Sequence, residues 1–331
     1  MSDAAPVLQL IDAFRASKVM FAAVALGVFD LVPASAADLA SRTSTDPDAL
    51  ARLLDACTAL DLLARDGDLY HNLPVASQYL RRDSPDTLTG YILYSDRILY
   101  PLWGNLAQAV REGTHRWEQT FGGRSGIFEN LFADDQAKVT FLQGMHGMGL
   151  VSSPAVVAAF DLSRFTHLCD LGGATGHLAI EACRCYPSLR ATVFDLPPVI
   201  PQAQRFIGQS SLAGRLAVHP GDFFTDPLPP ADLYSLGRIV HDWSEPKIHA
   251  LLAKIHRALP GGGGLLIAER ILYPFKDGPL SGNLQSLNML VVTEGKERNA
   301  QEYEALLLQA GFTEFQARST GRPLDAMLAI K

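Results

Sequence analysis

The chain has 331 residues, a formal net charge of −7 and 48% hydrophobic residues. This length predicts about two domains with a sizeable core, and the negative charge argues against a nucleic-acid partner or an anionic membrane surface. The N-terminal residues lack the basic and apolar regions of a signal peptide, and no apolar run reaches the ~18 residues of a membrane span. The four cysteines include no Cys-x-x-Cys pair, which indicates neither a metal site nor a redox motif and favours a cytoplasmic location.

The first hundred residues are predicted to form a helical domain. Apolar periodicity indicates helices over residues 7–32, 36–41, 46–63 and 74–80, with a turn at 66–68 and an extended segment at 69–72. Two short helices followed by a small hairpin are typical of a winged helix. Residues 1–90 contain seven basic and twelve acidic residues, so we expect a packing or dimerisation role rather than DNA binding.

Residues 101–331 are predicted to form an α/β domain. The chain is helical from 99 to 160, with a loose glycine-rich stretch at 122–126. Strands are then predicted at 166–171, 190–196, 217–219, 232–239 and 265–268, and helices at 244–259 and 303–310. This alternation indicates a mostly parallel sheet with helices on both faces, a Rossmann-like arrangement.

The most informative motif is the glycine-rich turn at residues 170–176, between a predicted strand and a helix. Glycines there let the backbone approach a ligand where α/β sheets bind cofactors. The spacing does not fit the dinucleotide fingerprint G-x-G-x-x-G. It fits the methyltransferase pattern acid-x-G-x-G-x-G through Asp170, Gly172 and Gly176, with Ala174 in place of the middle glycine.

Two acidic residues follow the next two strands. Asp195 is suited to accept hydrogen bonds from a ribose diol, a feature that NAD enzymes share. Asp222, in the sequence Gly221-Asp222-Phe223, is suited to accept from an adenine amino group while the Phe223 ring packs on the base. The alternative is that Asp222 caps a helix beside a core aromatic residue.

His241 ends the fourth predicted strand, where the carboxyl ends of parallel strands face the ligand crevice. Imidazole titrates near ~6.5 and can act as a general base toward a phenol, whose pKa is about 10. Glu269 ends the following strand and is predicted to hold the imidazole in the required tautomer. The alternative is a structural histidine paired with a carboxylate.

The sequence resembles the acetylserotonin O-methyltransferase group of the caffeic-acid-type small-molecule O-methyltransferases. The matching segments are Arg15–Leu31, Phe160–Gly176, Thr192–Pro197, Gly221–Tyr234, Arg238–Trp243, Ser286–Val291 and Gly295–Phe312. The resemblance implies S-adenosylmethionine as cofactor, a small aromatic hydroxylated substrate, and a homodimer formed through the N-terminal domain.

The resemblance also implies roles for individual residues. Cofactor contacts are expected from Asp195, Gly221, Asp222, Phe223 and Arg238. His241 is expected to be the base, flanked by Glu269 and Glu297, and Asp242 and Asn288 are expected near the acceptor substrate.

Four residues depart from the pattern of the acetylserotonin enzymes. Ala174 replaces a glycine, and Phe132 and Gly149 stand where those enzymes carry Tyr and Trp near the cofactor. Val292 stands where they carry a substrate-binding Gln. The acceptor pocket is therefore predicted to differ, and methylation of N-acetylserotonin does not follow.

Three other functions compete with O-methylation. N-methylation, or a changed reaction on the same scaffold, is the nearest. A winged-helix regulator that binds a small ligand is disfavoured by the acidity of residues 1–90. A nicotinamide dehydrogenase is disfavoured by the glycine spacing.

Overall fold

The computed structural model describes residues 3–122, 127–132 and 134–331, apart from the side chain of residue 129. Most of the predicted glycine-rich stretch at 122–126 lies outside these residues. The chain divides into two compact units, Met1–Ile98 and Leu99–Lys331. No helix in the described part of the chain combines the length and apolar character needed to cross a bilayer.

The N-terminal unit is built from six helices and three short strands among its described residues. They are α1 (Ala5–Leu26), α2 (Val28–Leu31), β1 (Ala34–Ser35), α3 (Ala36–Thr43), α4 (Pro47–Ala59), β2 (Leu63–Asp66), β3 (Leu69–Asn72), α5 (Pro74–Tyr79) and α6 (Thr89–Tyr94). The strands form an antiparallel sheet in the order β1-β3-β2. With α3 and α4 they give the predicted winged-helix-like arrangement, and a π-helical turn at Ser95–Leu99 ends the unit.

Two predicted helices were too long. The single helix predicted over 7–32 is broken by Gly27, whose φ of +74° ends α1. Positive φ is accessible to glycine without a steric penalty, so glycine ends helices in this way. The helix predicted over 46–63 ends at Ala59, because residues 63–66 pair with β3.

The second unit contains the sheet that positions the site. Its helices are α7 (Tyr100–Trp103), α8 (Leu106–Glu112), α9 (Trp117–Phe121), α10 (Ile127–Leu131), α11 (Asp135–Ala158), α12 (His177–Cys185), α13 (Ile200–Gln209), α14 (Glu245–Ala258), α15 (Leu280–Val292) and α16 (Ala300–Ala310). Its strands are β4 (His167–Leu171), β5 (Arg190–Asp195), β6 (Leu216–Pro220), β7 (Leu233–Gly237), β8 (Gly264–Glu269), β9 (Ile271–Leu272), β10 (Arg298–Asn299), β11 (Glu314–Arg318) and β12 (Asp325–Ile330). Short 3-10 turns lie at Ala213–Arg215 and Val240–Asp242.

The main sheet has seven strands in the order β11-β12-β8-β7-β4-β5-β6. β12 is antiparallel to both of its neighbours, and the other pairs are parallel. Apolar clusters cover both faces of this sheet. The chain order reverses at β4, and the carboxyl ends of β4, β5, β7 and β8 meet around this point, where such sheets bind ligands.

Candidate active site

The glycine-rich turn between β4 and α12 requires glycine at two of its predicted positions. Gly172 has a φ of +67°, and a Cβ there would lie 2.5 Å from the Ile239 Cδ1 atom. Gly176 has a φ of +79° and precedes the first residue of α12. Ala174 also has a positive φ, +50°, so this departure from glycine costs about 1–2 kcal/mol of backbone strain.

Asp170 lies buried at the end of β4. Its Oδ1 atom accepts a hydrogen bond of 2.6 Å from the Ser235 hydroxyl on β7. Burial raises the pKa of Asp170 to about 7, and the bond from Ser235 opposes that rise. A Cβ on Gly173 would lie 2.6 Å from Asp170 Oδ2, so this carboxyl group lies directly against the turn backbone.

Asp195, the last residue of β5, is hydrogen bonded to the glycine-rich turn. Its Oδ2 accepts from the Ala174 N–H at 2.8 Å, and its Oδ1 accepts from the Leu196 N–H at 2.7 Å. Burial raises the pKa of Asp195 to about 6. Each carboxylate oxygen can accept more than one hydrogen bond, so acceptor capacity is left for a ligand.

The turn after β6 contains Gly221, Asp222 and Phe223. The Gly221 N–H donates to the Asp195 carbonyl at 2.9 Å, which joins this turn to the end of β5. Asp222 Oδ1 accepts from the Phe224 N–H at 2.8 Å within a turn, and since no helix begins there, the alternative that Asp222 caps a helix is wrong. Asp222 Oδ2 makes no hydrogen bond within the described residues, so one oxygen is used in the turn and one is left for a ligand.

A lysine that sequence reasoning missed holds the same turn from α14. Lys254 Nζ donates to the carbonyls of Phe223, Phe224 and Asp226, at 2.8, 3.2 and 2.5 Å. No sequence motif could have indicated this contact, because it joins residues about thirty positions apart through backbone carbonyls.

Arg238 follows β7, which ends at Gly237 and not at residue 239 as predicted. The reason is a φ of +56° at Arg238, which takes the chain out of the extended conformation. The Arg238 N–H still donates to the Ala268 carbonyl on β8, at 3.1 Å. Burial raises the pKa of Asp242 to about 6, and the charges of His241 and Arg238 oppose that rise.

His241 lies on the 3-10 turn after β7 and is buried. Its Nδ1 atom is 2.6 Å from Glu297 Oε1, in a hydrogen bond, and 3.1 Å from Glu269 Oε2. The three ligand atoms lie within 4.8 Å of one another, a spacing that is able to hold a metal ion and that the sequence had not indicated. The structure thus brings together all three residues predicted for the chemistry.

The two glutamates hold the histidine in different ways. Glu297 contacts the imidazole directly and orients the ring. Glu269 Oε1 accepts from the N–H groups of Ile239 and Val240, at 2.8 and 2.9 Å, and so fixes the turn that carries the ring. Glu269 Oε2, which lies 3.1 Å from His241 Nδ1, and Glu297 Oε2 are both buried and make no hydrogen bond.

Three carboxyl groups around His241 all act in the same direction on its pKa. Burial alone lowers the pKa of an imidazole, but Glu269, Glu297 and Asp242 outweigh it and raise the pKa of His241 well above its usual value. Burial has the opposite effect on a carboxyl group and raises the pKa of Glu269. His241 Nε2 makes no hydrogen bond within the described residues and lies 3.7 Å from Asp242 Oδ1. Nε2 is therefore the ring nitrogen that has no hydrogen-bond partner among the described residues.

Asn288 and Val292 lie near the carboxyl end of α15, a helix that sequence reasoning missed. Ser286, on the same helix, accepts from the Glu297 N–H at 3.3 Å, and the Glu294 N–H donates to the Asp242 carbonyl at 3.3 Å. These bonds place α15 and the residues after it beside the histidine turn. Val292 is buried, and its carbonyl accepts from the Trp117 indole at 2.7 Å.

The space beside Gly149 is filled by a histidine. A Cβ on Gly149 would lie 2.3 Å from the His177 ring, whose Nδ1 is hydrogen bonded to Ser153 Oγ at 2.8 Å. The His177 imidazole thus lies directly against the backbone of Gly149 and leaves no room for a side chain there. Phe132 packs against Phe128, with ring centroids 5.7 Å apart.

This geometry defines a Rossmann-like methyltransferase: a glycine turn, a carboxylate after the next strand, and a histidine–carboxylate group after the fourth. The O-methyltransferase domain family matches residues 103–313, and the O-methyltransferase dimerisation domain family matches residues 8–82. The chain belongs to the O-methyltransferase family. The predicted family, fold class and enzyme class are confirmed.

Three relatives are similar over nearly the whole chain. Acetylserotonin O-methyltransferase of Gallus gallus is 42% identical over 98% of this chain and 96% of its own. The crystal structure of human N-acetylserotonin methyltransferase in complex with SAM is 39% identical, with a TM-score of 0.95 over 100% of this chain and 98% of that one. The N,N-8-amino-8-demethyl-D-riboflavin dimethyltransferase RosA from Streptomyces davawensis is 27% identical, with a TM-score of 0.84 over 100% and 99%.

Proposed function

We propose that this chain transfers a methyl group from S-adenosylmethionine to a hydroxyl group of a small aromatic molecule, with His241 as the general base. The observation that carries the proposal is the buried imidazole, whose Nδ1 is held by Glu297 and whose Nε2 is left without a protein partner. A carboxylate on Nδ1 selects the tautomer in which Nε2 can accept a proton.

The residues at the strand ends fit the proposed cofactor. Asp195 retains acceptor capacity on both oxygens and suits a ribose diol, and Asp222 Oδ2 suits an adenine amino group. Gly172 and Gly176 allow the turn to pass close to the ligand. The Asp170 carboxyl group lies against the backbone of the turn, and we expect it to support cofactor binding by fixing the conformation of that backbone. The solved human relative, a complex with SAM, supports the same cofactor.

When bound, S-adenosylmethionine supplies an electrophilic methyl group to the acceptor oxygen. His241 Nε2 removes the hydroxyl proton, while Glu297 and Glu269 stabilise the resulting imidazolium. The proton is taken up at Nε2, across the ring from the carboxylates at Nδ1, and is released to solvent before the next turnover. Because these carboxylates raise the pKa of His241, the neutral imidazole becomes more abundant as the pH rises, and activity should rise with it.

The acceptor pocket supports a small, largely apolar substrate other than N-acetylserotonin. Val292 offers no side-chain hydrogen bond, and a pocket without that partner disfavours a ligand that must bury a polar group there. Asp242 and Asn288 are the polar side chains proposed to orient the acceptor. The carbonyl of Val292 is already used by Trp117.

The protein is proposed to be a cytoplasmic homodimer formed through residues 1–100. The dimerisation domain matched at residues 8–82 supports this assembly. On α1, large apolar side chains are exposed, among them Leu10 at 78% and Phe14 at 51%. Exposed apolar patches of this kind mark interfaces. The acidic charge supports the absence of a nucleic-acid partner.

The test is a methyl-transfer screen with isotopically labelled S-adenosylmethionine over phenols, hydroxyquinolines and hydroxyindoles. We expect labelled methyl ethers, identified by mass spectrometry and product fragmentation. Calorimetry with S-adenosylmethionine and NAD provides the control: binding of NAD alone would contradict the proposal.

N-methylation is the second candidate, because the amine methyltransferase RosA has the same fold. An amine acceptor loses its proton more readily once it is methylated, so it depends less on a base than a phenol does. Aniline analogues of the preferred phenols distinguish the two. Faster methylation of the amine, unaffected by His241→Ala, would favour N-methylation.

A further inference from the structure

We propose that one face of α11 holds the glycine-rich turn in the shape that binds S-adenosylmethionine, with His146 as its main contact. His146 is a positioning residue, because it acts on the cofactor through Thr175. Ser153, further along the same helix, acts through His177. The inference rests on the proposed cofactor site and concerns the residues that keep that site in shape.

The backbone of the glycine-rich turn has an uncommon conformation. Gly172, Ala174 and Gly176 have positive φ angles of +67°, +50° and +79°. Glycine adopts this region freely, but alanine does so at a cost, and such residues persist only where the surrounding structure holds them. Asp195 holds the middle of the turn, because its carboxylate accepts from the Ala174 N–H at 2.8 Å. The end of the turn needs a support of its own.

Thr175 provides that support. It has the only side-chain hydroxyl among residues 170–176, and it is fully buried. Its Oγ1 atom lies 2.8 Å from His146 Nδ1, in a hydrogen bond that joins the turn to α11. Burial lowers the pKa of His146 to about 4, so the imidazole is neutral at neutral pH. The turn is therefore joined to α11 by an uncharged hydrogen bond that needs no counter-ion.

The His146 ring is itself held in one orientation. It stacks on the Phe206 ring of α13, with centroids 3.8 Å apart and an angle of 26° between the planes. Stacking of this kind restricts rotation of the imidazole, so Nδ1 stays directed at Thr175. Two contacts, on two different elements, thus fix the ring that holds the turn.

The same face of α11 makes a second contact. His146, Gly149 and Ser153 are spaced by three and four residues, which places them on one side of a helix. Ser153 Oγ lies 2.8 Å from Nδ1 of His177, the first residue of α12. A Cβ on Gly149 would lie 2.3 Å from the His177 ring, so α11 touches the imidazole directly at this point.

The two histidine hydrogen bonds act on the residues on either side of Gly176. Loss of either bond should let the end of the turn move, although no group proposed to touch the cofactor is removed. We therefore expect weaker cofactor binding. Turnover at saturating cofactor should change little, because the proposed base, His241, lies on a different turn.

The test removes the Thr175 hydroxyl and keeps the size of the side chain. Thr175→Val should raise the dissociation constant for S-adenosylmethionine by about fivefold, the value of one hydrogen bond, and leave kcat at saturating cofactor within about twofold. Thr175→Ser keeps the hydroxyl and should bind like wild type. His146→Leu should weaken binding as Thr175→Val does. His146→Asn should restore it, because its amide lies where Nδ1 lay. Titration calorimetry measures the affinities.

Thr192→Val is the matched control. The Thr192 hydroxyl lies 2.9 Å from Nε2 of His167, in a hydrogen bond between β5 and β4 that is remote in sequence from the glycine-rich turn. Each valine variant loses one buried threonine–histidine bond, so the two should lose similar thermal stability. Only Thr175→Val should lose cofactor affinity.

Gly149→Ala tests the second contact. The added methyl group would displace the His177 ring, so this variant should bind the cofactor less tightly than wild type. In Gly149→Ala/His177→Ala the displaced ring is absent, so the double variant should bind no worse than His177→Ala alone. Additive losses would remove this contact from the proposal.

The remaining outcomes separate the inference from the proposed cofactor site. Equal losses of affinity in the two valine variants, or no loss in Thr175→Val, would overturn the role of Thr175. A loss in Thr175→Val that His146→Leu does not share would overturn the role of His146. If Asp195→Ala weakens binding in the same assay, the cofactor site stands and only the inference fails. If Asp195→Ala also binds like wild type, the cofactor site fails with it.

Discussion

The proposed cofactor side and the proposed acceptor side of the site are built on different principles. On the cofactor side, carboxylates such as Asp195 and Asp222 are held by backbone N–H groups of neighbouring turns. On the proposed acceptor side, Glu269 and Glu297 both lie against the His241 imidazole, and their charges raise the pKa of His241. Substitutions on the proposed cofactor side should therefore change cofactor affinity, each independently of the others. Substitutions on the proposed acceptor side should change turnover and its pH dependence, and their effects should be coupled.

The largest effect is expected from His241→Ala. Loss of a positioned base should reduce turnover of a simple phenol by roughly 10²–10⁴, or about 3–5 kcal/mol of transition-state stabilisation. Cofactor affinity should be nearly unchanged, since the proposed cofactor contacts lie on other residues. Single-turnover rates and calorimetry on the same preparation measure both. A parallel loss of affinity would show that the two sides are not separate.

Asp195→Ala should lower cofactor affinity more than turnover, the reverse of the effect expected for His241→Ala. Each ribose hydrogen bond to a carboxylate contributes about 1–3 kcal/mol, so affinity for S-adenosylmethionine should fall by at least tenfold. Turnover at saturating cofactor should fall much less. Titration calorimetry provides the affinity, with Asp195→Asn as the matched control that keeps the shape and removes the charge. Unchanged affinity in the alanine variant would remove Asp195 from the cofactor site.

Glu297→Gln and Glu269→Gln test whether the two carboxylates act differently. Both raise the pKa of His241, so removing either charge should move the rising limb of the pH–rate profile to lower pH. Glu297→Gln should lower turnover more, because Glu297 makes the direct hydrogen bond to Nδ1. Glu269→Gln should mainly lower thermal stability, because Glu269 binds the N–H groups of the turn. Equal effects on both measurements would contradict this division.

The smallest effect is expected from Ala174→Gly. The left-handed conformation costs alanine about 1–2 kcal/mol, and glycine loses about 0.5–1 kcal/mol more entropy on folding. The variant should thus be more stable by about 1 kcal/mol or less. Chemical denaturation measures this, with Ala179→Gly inside α12 as the destabilising control. A less stable Ala174→Gly protein would contradict the strain at this position.

The difference between the cofactor side and the acceptor side also explains which parts of the site could be predicted from the sequence. The cofactor turn is a continuous motif, and Asp195 and Asp222 follow strands at regular intervals, so their positions follow from the order of elements. Glu297 was reached only through resemblance, because its contact with His241 spans 56 positions and no local pattern encodes it.

Other features of the fold were missed for related reasons. The helix α15 contains glycine, serine and asparagine among apolar residues, so its periodicity is weak, and β12 is a short, wholly buried run that periodicity cannot distinguish from a helix. The Trp103 indole donates to Asn288 and the Lys254 ammonium donates to three backbone carbonyls, long-range contacts that only the folded chain brings about.

The most direct test of the account is the rate of methyl transfer by wild type and His241→Ala across pH, on one phenol and on a more acidic nitrophenol. For wild type on the phenol, we predict a rate that rises with pH along a limb lying above the pKa of a free imidazole. In the variant this limb should be lost, the rate should follow ionisation of the acceptor hydroxyl, and the nitrophenol should partly restore activity. Near-normal turnover of the phenol by the variant at neutral pH would contradict the account and make His241 a structural residue.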